Sequence, residues 1–136
     1  MDETVHQLQT PPQYSNAIHI AAFKGELAAV KEMLLQGISI ETKTEDDEGP
    51  LHIACEYGYK EVVPLLLEHK ANVNAALKNG ATPLYVACEY GQKEVVLLLL
   101  NKKANVNGTK ERNPLEISQQ NGFDEIVALL KFYGGN

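Results

Sequence analysis

Two kinds of side chain in this sequence are candidates for metal binding or nucleophilic catalysis: two cysteines and four histidines. Metal sites typically use close pairs such as Cys-x-x-Cys or His-x-x-x-His, and the sequence contains neither spacing. No histidine or lysine stands directly beside Cys55 or Cys88, so nothing adjacent would lower the pKa of either thiol. A Walker or dinucleotide-binding fingerprint is also missing. We therefore expect no enzymatic activity, no metal site and no cofactor.

Composition and charge exclude further classes of function. Among the 136 residues, acids outnumber bases 18 to 12, a formal net charge of −6. Nucleic acid is then a poor partner, because its binding depends on Lys and Arg. The longest apolar run, residues 95–100, is far shorter than the roughly 18 residues of a membrane span. The N-terminus lacks a secretory signal pattern, and two cysteines are too few for a disulfide framework. We expect one acidic domain in the cytoplasm or the nucleus.

The sequence repeats itself with a period of 33 residues. Pro-Leu-His-Ile-Ala-Cys-Glu-Tyr-Gly at 50–58 returns as Pro-Leu-Tyr-Val-Ala-Cys-Glu-Tyr-Gly at 83–91. Lys-Ala-Asn-Val-Asn at 70–74 returns unchanged at 103–107. A looser copy precedes this pair by 33 residues, and another follows it by 31. Four units result, with the outer two divergent.

These motifs resemble the ankyrin-repeat family, in which Thr-Pro-Leu-His opens a unit and Gly-Ala-Asp-Val-Asn closes it. The resemblance implies an all-α fold, an ankyrin-repeat solenoid of stacked helix-turn-helix units with projecting β-turns. It predicts an ankyrin-repeat domain over 13–136, with repeats at about 13–43, 44–76, 77–109 and 110–136. Residues 1–12, which are polar and include two prolines, are expected to be a flexible N-terminal leader.

The residues themselves predict two helices in each unit, separated by a glycine. Thr82 and Asn113 can cap a first helix, with proline at its first position. The second helix carries apolar stripes, as at 95–100. Pro64 falls inside one second helix, where we expect it to remove a backbone hydrogen bond and kink the helix. Between units, the dipeptide Asn-Gly at 79–80 predicts a tight β-turn.

Several positions depart from the ankyrin pattern. Lys70 and Lys103 replace the glycine that usually ends the second helix, which implies a left-handed backbone at a cost of about 1 kcal/mol each. Asp47 replaces a turn glycine, and Gly49 replaces the capping threonine. The fourth unit has two residues fewer in its connecting loop, which predicts a shortened β-turn.

The stacking of units also predicts the roles of the cysteines and of two histidines. Cys55 and Cys88 occupy equivalent positions, and packed helices lie about 8–10 Å apart, whereas a disulfide requires Cα atoms within about 7 Å. We therefore expect free thiols in the core. His19 and His52 match the histidine of the opening motif, which in the family hydrogen-bonds backbone groups of adjacent turns.

The resemblance implies a partner-binding surface. In ankyrin folds the first helices and the β-turn tips line a concave groove, which the residues before the helix-ending glycine face. We predict partner contacts from the first helices by Phe23, Lys24, Glu56, Tyr57, Glu89, Tyr90, Gln120 and Asn121, and from the turn tips by Glu45, Asp46, Glu48, Lys78, Asn79 and Ala81.

The composition of this surface leads to a functional hypothesis. Tyrosine is enriched at binding hot spots, and acidic residues favour a basic partner. We predict a monomeric, non-enzymatic interaction module that binds an Arg- or Lys-containing segment of another protein, as an adaptor or an inhibitor. Two alternatives stay open. The Glu-Tyr pairs can be a solvated helix face, and the chain can be an assembly module or a piece of a longer repeat array that self-associates through its ends.

Overall fold

The helices of the chain come in pairs that follow the repeat. A computed structural model describes residues 17–40, 43 and 47–136, so the leader predicted for residues 1–12 lies outside the described residues. The described residues form eight helices: α1 (Ala17–Lys24), α2 (Leu27–Leu35), α3 (Pro50–Glu56), α4 (Val62–Glu68), α5 (Pro83–Glu89), α6 (Lys93–Asn101), α7 (Pro114–Gln120) and α8 (Asp124–Phe132).

These helices lie in two rows. The first row consists of α1, α3, α5 and α7, each in contact with the next, and the second row consists of α2, α4, α6 and α8. Each first-row helix also packs on the second-row helix that follows it in the chain. The all-α solenoid of stacked helix pairs that the sequence predicts is confirmed.

A continuous hydrophobic core extends through the stack. Leu66, Leu99 and Leu130, at equivalent positions of α4, α6 and α8, have no exposed surface. Both cysteines are also completely buried, in α3 and α5. A single helix pair can bury only part of its apolar surface, so each pair depends on its neighbours for the remainder.

Side-chain caps fix where two first-row helices begin. Oγ1 of Thr82 accepts a hydrogen bond from the Tyr85 amide at 3.2 Å, and Oδ1 of Asn113 accepts one from the Glu116 amide at 2.9 Å. Proline follows at the first helical position in both, where its missing N–H costs nothing. The caps predicted from the sequence are confirmed.

Pro64 lies near the start of a shortened helix. α4 has seven residues, whereas α2, α6 and α8 each have nine. Pro64 is the third residue of α4, and the amides of Val62 and Val63 both bond to the Tyr59 carbonyl oxygen just before it. Val63 makes the same i→i−4 bond as Val96 in the third unit, so the next bond is the one that Pro64 cannot donate, and α4 begins two residues later than α6 relative to the repeat. The predicted loss of a backbone bond therefore agrees with the structure, and the kink stays a prediction.

Three residues other than glycine adopt a left-handed backbone in the described part of the chain. The φ angles are 68° at Asp47, 76° at Lys70 and 71° at Lys103. The two lysines follow α4 and α6, where they replace the expected glycine. The left-handed conformation predicted for both is confirmed, and its cost is on the order of 1 kcal/mol each.

Two turns project between the units. We number each turn by its unit, so residues 77–81 form the third turn. There the Leu77 amide donates to the Ala81 carbonyl oxygen at 2.9 Å, and Gly80 has a φ of 90°. In the fourth turn (residues 109–112), Thr109 and Arg112 exchange backbone hydrogen bonds of 3.3 Å across only two residues. The hydroxyl of Thr109 also donates to the carbonyl oxygen of Gly80 and ties the two turns together. The shortened turn predicted for the fourth unit is confirmed.

Candidate binding groove

The C-terminal ends of the first-row helices line up along one side of the stack. Glu56 is the last residue of α3 and Tyr57 caps its end, while Glu89 and Tyr90 hold the same places in α5. Because α3 packs on α5, the two Glu-Tyr pairs are neighbours. We call the surface formed by these helix ends and by the third and fourth turns the groove.

Aromatic rings form one half of the groove. The Phe23 ring meets the Tyr57 ring edge-on, with centroids 5.2 Å apart and an interplanar angle of 86°. Tyr57 also stacks on Tyr59, with centroids 5.9 Å apart. Both arrangements are favourable for aromatic pairs. Even so, Tyr57 is 41% exposed, so its ring is held in place and still faces solvent. Tyr90, in the next unit, is 50% exposed.

A surface cavity of about 330 Å³ forms the other half of the groove. It combines carboxylates with an apolar and aromatic lining. Six of the predicted partner-binding residues line it: Glu48, Glu56, Asn79, Ala81, Glu89 and Tyr90. Four lining residues were not predicted: Leu77, Tyr85, Val86 and Arg112.

Six other predicted residues that the structure describes do not line this cavity. Glu45 and Asp46 lie outside the residues that the structure describes. Lys78 lies on the third turn, and the remaining residues lie at or just beyond the ends of α1, α3 and α7. The set outside the cavity consists of Phe23 and Tyr57 in the aromatic half, together with Lys24, Lys78, Gln120 and Asn121.

Tyr85 is the unpredicted cavity residue for which the sequence contains a signal. It stands where the first two units have His19 and His52, which are buried. Nε2 of His19 lies 3.1 Å from the carbonyl oxygen of Glu48, and Nε2 of His52 lies 2.8 Å from that of Ala75. The structural role predicted for both histidines is confirmed. The signal for Tyr85 was the change from His to Tyr in the opening motif of the third unit.

Hydrogen bonds between neighbouring units close the helix ends at the groove. The Tyr59 hydroxyl donates to the carbonyl oxygen of Phe23 at 2.8 Å, and Nε2 of Gln92 donates to that of Glu56 at 2.9 Å. The side-chain amide of Asn121 makes the corresponding bond to the end of α5 at 3.0 Å. Each bond satisfies a carbonyl group that a helix leaves open at its C-terminus. No pattern in the sequence predicts this row of hydrogen bonds, because the donor differs in type from unit to unit.

Repeats with these features define a known family. Models of three consecutive ankyrin repeats match residues 2–76, 18–110 and 71–136, which together span nearly the whole chain. The chain belongs to the ankyrin-repeat family. Ankyrin repeats are in general modules for protein–protein interaction.

A solved ankyrin structure resembles this stack closely. The crystal structure of the human ASB11 ankyrin repeat domain matches it with a TM-score of 0.84 and 31% sequence identity. The match covers 89% of this chain and 55% of that one, so this chain spans little more than half the length of the ASB11 domain. A comparison with curated protein sequences finds no significant match.

Burial and like charge act together on Glu56 in the ankyrin groove. Burial raises the pKa of the Glu56 carboxyl group, and the negative charge of Glu89 raises it further. Burial raises the pKa of Tyr90 as well, with smaller contributions from Glu56, Glu89 and Glu48. These shifts mark the groove as a place where negative charge is concentrated and partly shielded from water.

Arg112 is the cation that lines the cavity, and it keeps its charge. Nη1 of Arg112 donates to the carbonyl oxygen of Glu111 at 3.3 Å, within its own turn. In the described part of the chain, ion pairs join Lys60 to Glu94 and Lys93 to Glu125. Neither Glu of the two Glu-Tyr pairs takes part in one. The groove therefore offers carboxylates to an incoming cation.

The cysteines of the ankyrin units are core residues. Cys55 and Cys88 are buried free thiols, so the prediction that they form no disulfide is confirmed. Burial raises the pKa of both thiols, to about 12 for Cys88, which keeps them protonated. The described residues contain no group of three or more His, Cys, Asp or Glu placed to hold a metal ion. None of their helices is long and apolar enough to cross a bilayer.

Proposed function

We propose that the chain is a non-enzymatic binding module whose groove captures a basic segment of another protein. The observation that carries this proposal is the pairing of Glu56 and Tyr57 with Glu89 and Tyr90 on stacked helices, beside a cavity of about 330 Å³. Family membership supports the general class, because ankyrin repeats bind other proteins. The groove supports the finer statement about the sign of the partner's charge.

The tyrosines supply affinity in this proposal. A Tyr side chain combines a large contact area with a hydroxyl group that can form a hydrogen bond, and truncation of such a residue at a hot spot typically costs about 2 kcal/mol or more. Tyr57 and Tyr90 have the exposed ring surface that such contacts need. Phe23 extends the same surface by one unit through its edge-on contact with Tyr57.

The acidic residues supply selectivity for the partner and a faster rate of association in this proposal. Complementary charge accelerates encounter and disfavours partners of the wrong sign. The whole chain carries a formal charge of −6, and Glu56 and Glu89 place part of it in the groove. We place this module, as a monomer, in the cytoplasm or the nucleus. It would act as an adaptor if it brings the bound protein to a further partner, and as an inhibitor if it keeps the bound segment from other partners.

A double substitution tests the groove. Tyr57→Ala with Tyr90→Ala removes both exposed rings, and Phe132→Ala is the matched control, because Phe132 is 83% exposed at the end of α8 in the second row. The full chain serves as bait for partner proteins. An amine-reactive reagent cross-links Lys24 and Lys78 to partner segments beside the groove, and mass spectrometry identifies those segments. We expect the double variant to recover at least about tenfold less of the basic cross-linked segments than the wild type. The control should recover as much as the wild type.

Equal recovery of the same cross-linked segments by the wild type and by a folded double variant would contradict the proposal. Circular dichroism establishes that each variant is folded. The exposure of Phe132 favours a second candidate, self-association through the ends of the stack. If the wild type sediments as an oligomer and Phe132→Ala converts it to a monomer, the assembly function replaces the one proposed.

A further inference from the structure

The cavity in the groove has the composition of a site for one cationic side chain. We propose that it binds a single arginine side chain of the partner, an inference that rests on the proposed function. The site lies where α3 and α5 meet the third turn, and it draws residues from both helices and from the turn. Its lining contains three glutamates, two tyrosine rings, an apolar wall and one arginine, and the two glutamates at equivalent helix ends are the ones that matter here.

Two carboxylates in the cavity favour the binding of a cation. Glu56 and Glu89 occupy equivalent positions of adjacent helices and line the same cavity. Both are partly buried, and the charge of Glu89 disfavours ionisation of Glu56. Arg112 is the basic residue in the lining. One N–H group of its guanidinium bonds the carbonyl oxygen of Glu111, and its positive charge reaches the cavity at Tyr85. A cation placed between the two carboxylates would remove their mutual repulsion and gain two ion pairs.

The remaining lining suits a long side chain with a flat head. Leu77 and Val86 offer an apolar surface to a methylene stem. Tyr85 and Tyr90 offer aromatic rings, over which a cation is attracted by the negative face of the π system. Tyr85 is available for this role because it replaces the buried histidine of the first two units.

The same lining distinguishes arginine from lysine. A guanidinium is planar, carries five N–H donors and is more weakly hydrated than an ammonium, so it can bond two carboxylates while it stacks on a ring. An ammonium is compact and strongly hydrated, and it would lose more on entering a partly buried site. A cavity with paired carboxylates and two tyrosines therefore favours arginine.

A blocked amino acid tests the site without knowledge of the partner. The probe is N-acetyl-arginine N-methylamide, whose guanidinium is its only charge, titrated into the full chain and followed by amide NMR. We expect saturable shifts centred on Ala81, Val86 and Tyr90. The citrulline analogue, which has nearly the same shape but no charge, should bind at least about tenfold more weakly, and the lysine analogue at least about threefold more weakly.

Substitutions assign the effect to the two carboxylates. Glu56→Gln with Glu89→Gln should weaken arginine binding at least about tenfold. The matched control is Glu61→Gln with Glu68→Gln, which removes the same charge from exposed positions at the two ends of α4. That control should change the affinity by less than about twofold.

The outcomes separate this inference from the function on which it rests. Equal binding of the citrulline analogue or of the lysine analogue, or unchanged arginine binding in the Glu56→Gln, Glu89→Gln variant, would overturn the arginine site. If partner recovery depends on Tyr57 and Tyr90 but the arginine probe does not bind, the site is overturned and the proposed function stands. If the probe binds but the Tyr57→Ala, Tyr90→Ala variant recovers the same partner segments as the wild type, the site is supported and the proposed function is overturned.

Discussion

The hydroxyl of Tyr59 donates a hydrogen bond of 2.8 Å to the carbonyl oxygen of Phe23, 36 residues earlier, so the second unit completes the first-row helix of the first. The same side chain covers Gly25, where an added Cβ atom would lie 2.8 Å from the ring. Tyr59 thus joins two units both by a polar contact and by packing. The polar part can be removed without disturbing the ring.

Tyr59→Phe isolates the contribution of this hydrogen bond. We expect the free energy of unfolding to fall by about 1 kcal/mol, because the ring remains and one partly buried carbonyl loses its partner. Urea denaturation followed by circular dichroism measures the change. Tyr90→Phe, at a half-exposed position, is the control and should stay within about 0.5 kcal/mol of the wild type. Equal losses in the two variants would show that the inter-unit bond contributes nothing of its own.

Lys103→Gly should stabilise the protein. Lys103 has a φ of 71°, which glycine adopts without the steric cost that a Cβ atom incurs. Part of the gain is offset by the loss of a favourable charge at the C-terminus of α6, so we expect a net increase of about 0.5–1 kcal/mol. Thermal and urea unfolding report the change.

Lys102 supplies the control for that prediction. It is adjacent and equally charged, but its φ is −95°. Lys102→Gly gains no relief of backbone strain and adds flexibility to the unfolded chain, so it should lower the free energy of unfolding by roughly 0.5–1 kcal/mol. Stabilisation by both substitutions would mean that the charge, and not the left-handed backbone, is the cause.

His52 should make stability depend on pH. Its Nδ1 accepts a hydrogen bond from the Gly49 amide at 3.3 Å, which leaves the Nε2 proton to donate to the Ala75 carbonyl oxygen at 2.8 Å. The pKa of His52 is lowered from 6.5 to about 4, chiefly by burial. The bond to Ala75 opposes this shift, Lys43 adds to it, and the charge of Asp47 opposes it. The folded protein therefore holds this residue neutral where the unfolded chain would protonate it.

The sign of the pH effect follows from that difference. Above about pH 6.5 both states hold His52 neutral, and its contribution is constant. As pH falls from about 6.5 to 4, only the unfolded chain takes up the proton, so the free energy of unfolding falls by up to about 3 kcal/mol and then levels off. An NMR titration of the His52 ring should give a midpoint near 4, and a midpoint near 6.5 in the folded protein would refute the prediction.

Cys55 and Cys88 should resist thiol reagents until the protein unfolds. Both side chains are fully buried, and burial raises the pKa of both thiols, so the reactive thiolate is scarce and inaccessible. Ellman's reagent should label neither residue at an appreciable rate in native buffer and both in concentrated urea. Rapid labelling of either cysteine in the native protein would contradict the buried placement.

Local chemistry explains what could be predicted from the sequence. The period of 33 residues gives the stack, and the caps at Thr82 and Asn113 follow from neighbours three residues away in the chain. Lys70 and Lys103 could be assigned a left-handed backbone because the repeat aligns them with a glycine. The bond lost at Pro64 could be predicted because proline has no N–H. The later start of α4 that accompanies it was not predicted, because the repeat gave this helix the boundaries of the other units.

Contacts between units explain what could not be predicted. Tyr85 and Arg112 meet in the cavity only when the third and fourth units are stacked and the fourth turn is two residues long at its tip. The bonds from Tyr59 and Gln92 reach back 36 residues and use different donors at the same position. Such pairs carry no common spacing or residue type, so a single sequence offers no pattern from which to infer them.

The hydroxyl bond from Thr109 to Gly80 has a consequence for how a partner would associate. The third turn forms one wall of the cavity, and this bond fixes its tip before any partner arrives. A free loop would have to give up conformational entropy on binding, whereas a preorganised wall gives up little. Association at this wall should therefore resemble the docking of rigid bodies, with selectivity set by shape and charge that are already in place.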